Sequence, residues 1–446
     1  MAEPISGGLD LRDTDGIYSL LDTDLYKLTM QCAVLKCFPD TDVAYAFTNR
    51  TPELKITRAG FEWLQLQSAK LGKLRLTPDE LAFLNSSCPY LPKVYISYLE
   101  KFRFRPAEQL TLTFTPSKDG SEQMEAEQKG ALDDKQQFGN VEIDIKGKWV
   151  DTILYEIPLL FLVSEAYFKF SDTDWNYEGQ EEQAYNKGKQ LLDDGCVFSE
   201  FGTRRRRSYH SQELALRGLI RASQEYSGGP GKLNGTSNVH FSHRFGLTPI
   251  GTVAHEWFMV IAAITGDYTS ANEIGLREWI DCFGEGVLGI ALTDTFGTEQ
   301  FLRCFARQSN PGKSYAEVFA GVRQDSGDPE AFVKVMRRFY DSQGIKEKKT
   351  IVFSDSLDVG LCLKYHKVAR EAGFGVSFGV GTFLTNDFTH LSEPTKKSDP
   401  LNIVIKVSSA NGNPAVKISD EISKNTGDRA TVNKVKHDLG YVENLG

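Results

Sequence analysis

His255 stands in the stretch Thr-Pro-Ile-Gly-Thr-Val-Ala-His-Glu-Trp of residues 248–257, where a short apolar run gives way to Phe-Met-Val-Ile. Ile250 and Val253 read as a buried strand, Gly251 and Thr252 allow close backbone approach, and the helical pattern that follows puts the histidine at an exposed strand-to-helix turn. An imidazole with an ordinary pKa of about 6.5 is largely neutral at pH 7, so it can serve as base, ligand or nucleophile. A hydrogen-bonded histidine that merely starts a helix is an equally good reading of this stretch by itself. His255-Glu256 opens the zinc-protease helix pattern, but Met259 occupies the second histidine position, which removes that chemistry.

Other residues could recognise or hold an anion. Glu-Phe-Gly-Thr followed by Arg204, Arg205, Arg206 and Arg207 places four guanidinium groups after a strand, at the expected first turn of a helix running to about residue 223. Guanidinium forks and helix amides both favour phosphate or carboxylate. Arg204, nearest the strand end, is the preferred ligand; Arg205 to Arg207 read equally well as a solvated basic face or a localisation signal. Gly379-Val-Gly381-Thr382 can offer amides and a hydroxyl to a phosphate, although Leu384 stands where a dinucleotide fingerprint needs its third glycine. Gly375-Val-Ser377-Phe-Gly379 matches the G-x-S-x-G elbow of serine hydrolases, with Ser377 as nucleophile. An elbow needs a helix directly after it, and Val380-Gly-Thr-Phe is a poor helix start.

The elements that must position these groups follow from the hydrophobic pattern. Between residues 180 and 385, strand-like runs at 196–201, 249–253, 287–293, 318–323, 350–353 and 375–378 alternate with helical patterns, which argues a parallel sheet with crossover helices. Most of these runs end in glycine or polar residues: Gly202 to Arg204, His255, Asp294, Arg323 to Asp328, Ser354 to Ser356, and Gly379 to Thr382. A barrel gathers such ends on one rim, where α/β folds bind ligands. Residues 1–147 read as a smaller α+β domain, with a helix over 17–37 capped by Asp22 or Thr23, a strand at 43–50, helices near 58–70 and 78–87, and alternating strands at 109–115 and 141–146. Tyr26 lies off the apolar stripe of the first helix and reads as a surface residue. Residues 116–137 form a polar loop, 226–235 an exposed connection, and residues 148–399 the active-site barrel; part of 400–446 is expected to return to the first domain.

The composition bounds the partners. The 446 residues are 40% hydrophobic and 25% charged, with a formal charge of −9, so a general nucleic-acid surface is not expected and an anionic ligand needs a local basic cluster. Seven scattered cysteines without a C-x-x-C pair fit a reducing compartment and no structural zinc. The first residues lack the pattern of a signal peptide, and no uncharged apolar run reaches the length of a membrane span. A cytosolic location follows, with the arginine run raising a nuclear pool as a second expectation.

Taken together, residues 20–30, 148–158, 200–207, 251–257, 322–329 and 379–387 resemble the nicotinate phosphoribosyltransferase family, and the match looks close to its fungal members. The resemblance covers nearly the whole chain. It implies an irregular α/β barrel beside the smaller α+β N-terminal domain, and a homodimer in which each active site borrows Tyr26 from its partner. It implies that the nicotinate ring stacks between Phe201 and Tyr26, with Arg204, Thr252 and Arg323 around ring and carboxylate. It also implies that phosphoribosyl pyrophosphate lies near Asp325, with Gly379, Gly381 and Thr382 on its 5-phosphate, and that His255 takes a phosphoryl group from ATP. Mg²⁺ is expected with the phosphates, without a protein ligand that the sequence can name. A role for Glu256 in orienting the imidazole is an open idea. A nicotinamide or quinolinate phosphoribosyltransferase is the nearest alternative, and a serine hydrolase using Ser377 a distant one.

Overall fold

The computed structural model describes residues 16–117, 134–310, 312–421 and 424–441. The expectations about the first residues and most of the 116–137 loop fall on 1–15 and 118–133, outside the described residues.

The first helix runs over Leu25–Cys37 and does not begin at residue 17. The reason is a competing backbone pairing: Val239 N donates to Thr23 O, His240 N to Leu21 O, and Leu25 N to Ser237 O. These bonds hold residues 21–24 against residues 237–240 in a non-helical path, and Asp24 becomes the cap position without a side-chain cap bond. Helices Arg58–Lys70 and Pro78–Ser87 follow as expected, the second started by a capping box between Thr77 and Glu80.

The N-terminal sheet is built from β1 (Asp42–Asn49), β2 (Ile56–Thr57), β3 (Leu110–Pro116) and β4 (Phe138–Lys148), with β4 pairing antiparallel to β1, β2 and β3. A helix over Glu156–Phe170, buried along most of its length, carries the chain to the second layer. Pro158 is tolerated there because it sits in the first turn, where amides lack intrahelical partners. No described helix is long and apolar enough to cross a membrane.

The second sheet is parallel throughout. Its strands are β5 (Val197–Glu200), β6 (Lys232–Thr236), β7 (Ile290–Leu292), β8 (Gly321–Gln324), β9 (Thr350–Phe353) and β10 (Gly375–Val380), in the order β6-β5-β10-β9-β8-β7. The register aligns Val322 with Ile351, Ile351 with the partly buried Val376, and Phe378 with Phe198, which stacks apolar side chains across neighbouring strands. The fold is therefore mixed α/β with a separate N-terminal sheet, and the described parallel strands are hydrogen-bonded in one run from β6 to β7.

Two expected elements change. Residues 226–235 are not all connection, because Lys232–Thr236 forms the edge strand β6. The expected strand at 249–253 is absent, and only an isolated bridge joins Pro249 to Thr236. Proline supplies no ladder N–H there. Gly251 then turns the segment onto the first helix, where a Cβ at this position would come 2.8 Å from Tyr26 N.

After β10 the chain returns to the first sheet. Strand β11 (Ile403–Ala410) pairs antiparallel with β1, aligning Tyr45 with Val407, and β12 (Asn413–Pro414) pairs with β11. The next residues cross to the parallel sheet, where Ile418 N donates to Thr295 O just beyond β7. That crossing brings a lysine to the strand ends.

Candidate active site

The site lies at the carboxyl ends of β7, β8 and β9. His255 is the first residue of a helix over His255–Thr265 and has 18% side-chain exposure, so it is recessed at the strand ends. Its Nδ1 lies 3.0 Å from Thr295 Oγ1 and its Nε2 3.0 Å from Asp325 Oδ2. Lys417 Nζ is 3.0 Å from the same Nε2 and 3.1 Å from Asp294 Oδ2. Nε2 has one role at a time: bearing a hydrogen it donates to Asp325, and bare it accepts from Lys417.

Electrostatics keep this imidazole neutral. Burial, and then the Lys417 ammonium, push its pKa below the ordinary value, against the pull of Asp294 and Asp325. Burial alone would raise the Asp325 carboxyl, but the Arg323 guanidinium and His255 outweigh it and hold it well below the usual range. Arg323 donates from one terminal nitrogen to Asp325 Oδ1 at 2.8 Å and from Nε to Ser354 Oγ at 2.8 Å. Ser354 Oγ also donates to Asp325 Oδ1 at 2.9 Å, so one carboxylate gathers residues from three elements.

Asp294 is 1% exposed, and its Oδ2 accepts from Ser326 Oγ. Its Oδ1 is buried without a hydrogen-bond partner, 3.6 Å from His255 Nε2. A buried, unsatisfied carboxylate oxygen is costly unless a ligand completes it. His255, Asp294 and Asp325 offer donor atoms that all lie within 4.8 Å of one another, and the two carboxylates suit a hard divalent cation.

A second group lies beside this one. Arg204 is exposed and has no hydrogen-bond or ion-pair partner among the described residues, which leaves its fork free. Burial, Glu156 and Asp24 raise the Tyr26 hydroxyl well above its usual value and Arg204 opposes them, so Tyr26 and Arg204 are neighbours within one chain. Phe201 N donates to Val380 O, joining β5 to the end of β10. Its ring lies against Gly379 so closely that a Cβ there would overlap it, and a Cβ on Gly381 would come 3.2 Å from Phe201 O. Thr382 opens the short helix Thr382–Thr385. The Thr252 carbonyl accepts from Thr29 Oγ1 at 3.2 Å, which ties this turn to the first helix.

The arrangement unites a neutral histidine, a carboxylate pair, several cations and a free guanidinium. Models of the nicotinate phosphoribosyltransferase (NAPRTase) family and of its N-terminal domain match residues 196–443 and 21–164. The nicotinate phosphoribosyltransferase of Saccharomyces cerevisiae is 46% identical over 435 residues, covering 96% of this chain and 96% of its own. The chain belongs to the nicotinate phosphoribosyltransferase family. The Methanosarcina mazei nicotinate phosphoribosyltransferase is 38% identical over 443 residues, covering 95% of this chain and 98% of its own. A crystal structure from Saccharomyces cerevisiae that carries the same family name is similar with a TM-score of 0.89 at 45% identity, covering 96% of this chain and all of that one.

Within this nicotinate phosphoribosyltransferase fold, two readings of the sequence are corrected, and direct contact of Glu256 with the imidazole is ruled out. Glu256 does not face His255; it accepts from Tyr45 and Trp149 and pairs with Lys27 in the core. Arg205 to Arg207 are neither the first turn of the long helix nor a solvated basic face: Thr203–Arg205 forms a separate 3-10 turn, and the long helix starts at Tyr209 with Ser208 as its cap. Arg206 is buried in a bidentate pair with Asp22, both bonds 2.8 Å, and Arg207 is buried against Asn386, Ser398 and the Phe168 ring. Ser377 lies inside β10, paired with Val352, and no nucleophile elbow forms.

The sequence left several members of the cluster without a role. Asp294 carried a signal as a polar strand end. Thr295 lay one residue further along the same turn. Lys417, in Val-Lys-Ile, carried none, because its place depends on the return of the C-terminal segment. Lys406 of β11 is similar: burial first, then Lys417, Arg50 and Arg204, push its ammonium down to about 7. A separate cavity of about 250 Å³, lined by Phe47, Leu54, Val141 and Ile403 among others, lies on the N-terminal sheet away from His255. It is mainly apolar and offers no reacting group.

Proposed function

We propose that this chain transfers the phosphoribosyl group of phosphoribosyl pyrophosphate to nicotinate, forming nicotinate mononucleotide and pyrophosphate, and that it couples the reaction to ATP through His255. The observation that carries this reading is the contact of His255 with Asp325 and Lys417 beside the free Arg204. A neutral imidazole can attack phosphorus without a strong base, and adjacent cations favour the phosphate that would approach it.

In this reading Phe201 and Tyr26 sandwich the pyridine ring, and Arg204, Arg323 and Thr252 surround its carboxylate. A free guanidinium favours the carboxylate over a neutral amide, which favours nicotinate over nicotinamide. Asp325 lies by the ribose, and Gly379, Gly381 and Thr382 receive the 5-phosphate. The ring nitrogen meets C1 as pyrophosphate departs, so the chain contributes mainly positioning and charge neutralisation. Arg50, Lys406 and Lys417 supply positive charge for the departing group. Asp294 and Asp325 fit as ligands for Mg²⁺ carried on the phosphates, which would neutralise part of their charge.

A homodimer belongs to the same proposal, with Tyr26 serving beside Arg204 of its own chain, as does a cytosolic location, for which the seven free cysteines suit a reducing compartment. The deciding assay supplies nicotinate, phosphoribosyl pyrophosphate, Mg²⁺ and ATP and measures nicotinate mononucleotide. Absence of product with nicotinate, or equal turnover of nicotinamide or quinolinate, would overturn the assignment.

A further inference from the structure

Consecutive helix residues point about 100° apart, so a side chain next to His255 cannot share its direction. Glu256 uses that difference. While the imidazole faces the strand ends, the Glu256 carboxylate turns into the core, where Tyr45 OH donates to Oε1 at 2.6 Å and Trp149 Nε1 donates to it at 2.7 Å. Lys27, completely buried, places its ammonium 2.5 Å from Glu256 Oε2 and 2.5 Å from Glu156 Oε2. The three donors come from the first helix, from β1 and from the turn after β4, all within the N-terminal region. One carboxylate thus docks that region onto the first turn of the His255 helix.

A second set of contacts points the same way. Thr29 Oγ1 donates to Thr252 O, and Ala254 N points at Met30 Sδ at 3.4 Å. Gly251 lacks the Cβ that would meet Tyr26 N and Leu25 Cβ. Gly251, Thr252 and Ala254, which lead to His255, therefore rest on the first helix. The helix start itself has no side-chain cap, since Ala254 occupies the cap position. Capping does not fix the backbone of His255; the Glu256 anchor and these contacts do.

We propose that Glu256, held by Lys27 and Tyr45, is a positioning residue for His255 that sets the imidazole between Thr295 and Asp325 for phosphoryl transfer. The inference rests on the reading of His255 as the phosphoryl acceptor. Glu256 touches no substrate. Its effect reaches the reaction through the backbone of its neighbour, where a displacement of about 1 Å can cost two orders of magnitude in rate.

The test is the time course of phosphoryl incorporation from γ-labelled ATP at saturating ATP, in the full chain and in the Glu256→Gln and Tyr45→Phe variants. Glu256→Gln keeps a carbonyl for Tyr45 and Trp149 and removes the charge that holds Lys27, which retains Glu156. The rate constant is expected to fall at least about tenfold in Glu256→Gln and a few-fold in Tyr45→Phe, with the final stoichiometry of label and the KM for nicotinate little changed. A purely structural role would lower the stoichiometry, as part of the protein is lost, and leave the rate constant of the remainder intact; that outcome overturns the inference. If Glu256→Gln does not fold, a parental rate constant in Tyr45→Phe also overturns it. Absence of label on the parent chain would overturn the phosphohistidine reading and this inference together, whereas label on the parent at a rate the variants match would overturn this inference alone.

Discussion

The ammonium of Lys417 stands 3.0 Å from Nε2 of His255. A fixed cation at that distance disfavours a second positive charge on the imidazole, and with burial it lowers the pKa of the ring. It also awaits any phosphoryl group that approaches the nitrogen.

This relationship fixes a pH dependence. Phosphoryl acceptance needs the neutral ring, so the lowered pKa extends ATP coupling toward acid. Removing the cation in Lys417→Met raises the pKa again, with burial alone left to oppose Asp294 and Asp325. The acid limb of the ATP-dependent rate should therefore shift to higher pH, and the variant should lose proportionally more activity at about pH 6 than at about pH 8. Profiles of ATP-stimulated synthesis over that range test this; an unshifted acid limb would count against it.

Arg204 carries a guanidinium without a hydrogen-bond or ion-pair partner among the described residues. If it reads the substrate carboxylate, Arg204→Gln should lower kcat/KM for nicotinate by at least about tenfold, since a hydrogen bond to a charged group contributes about 1.5–3 kcal/mol. Turnover of the neutral amide should change little, so the ratio between the two substrates narrows. Steady-state kinetics with both bases check the prediction, and equal losses for both would remove Arg204 from carboxylate recognition.

Asp22 and Arg206 form the buried pair that ties the residues before the first helix to the turn after β5. Burial opposes charge on Asp22, but Arg206 outweighs it and the carboxyl is held below its usual pKa. A depressed carboxylate contributes stability above the unfolded value of about 3.9 and loses that contribution as pH falls through the lower folded value. Asp22→Ala leaves Arg206 buried without its partner and should cost about 3–5 kcal/mol at pH 7. Denaturant titrations should show the gap between parent and variant closing only as pH falls below about 3.9.

Local chemistry made much of this fold legible. The Thr77 and Glu80 box starts its helix where the sequence places it, and the run Thr-Ile-Val-Phe is β9. Strand β6 was hidden because Lys-Leu-Asn-Gly-Thr follows a Gly- and Pro-rich stretch and reads as loop; its order comes from pairing with β5. Residues 249–253 failed in the opposite sense, since an apolar pattern there serves packing on the first helix. In the site, His255, Arg323 and Asp325 were marked by strand-end position, and the structure brings these three together. Lys417 and Lys406 were invisible because a strand pattern says which face a residue takes, not which distant strand end it will meet.

Lys406 offers a thermodynamic signature of phosphate binding. Its pKa of about 7 makes it partly deprotonated in the free protein near neutrality, and the first cause is burial, followed by Lys417, Arg50 and Arg204. An incoming pyrophosphate group offsets those three cations and raises the lysine pKa, so binding should take up protons at about pH 7.5. Well below pH 7 the lysine is already charged and this uptake should vanish. Calorimetry of phosphoribosyl pyrophosphate binding in buffers of different ionisation enthalpy measures the proton count directly. Because the ligand phosphates also titrate, the decisive comparison is with Lys406→Met, which should bind with fewer protons taken up at about pH 7.5 and the same number at about pH 5.5. An identical proton count in both proteins at the higher pH would place Lys406 outside the phosphate site.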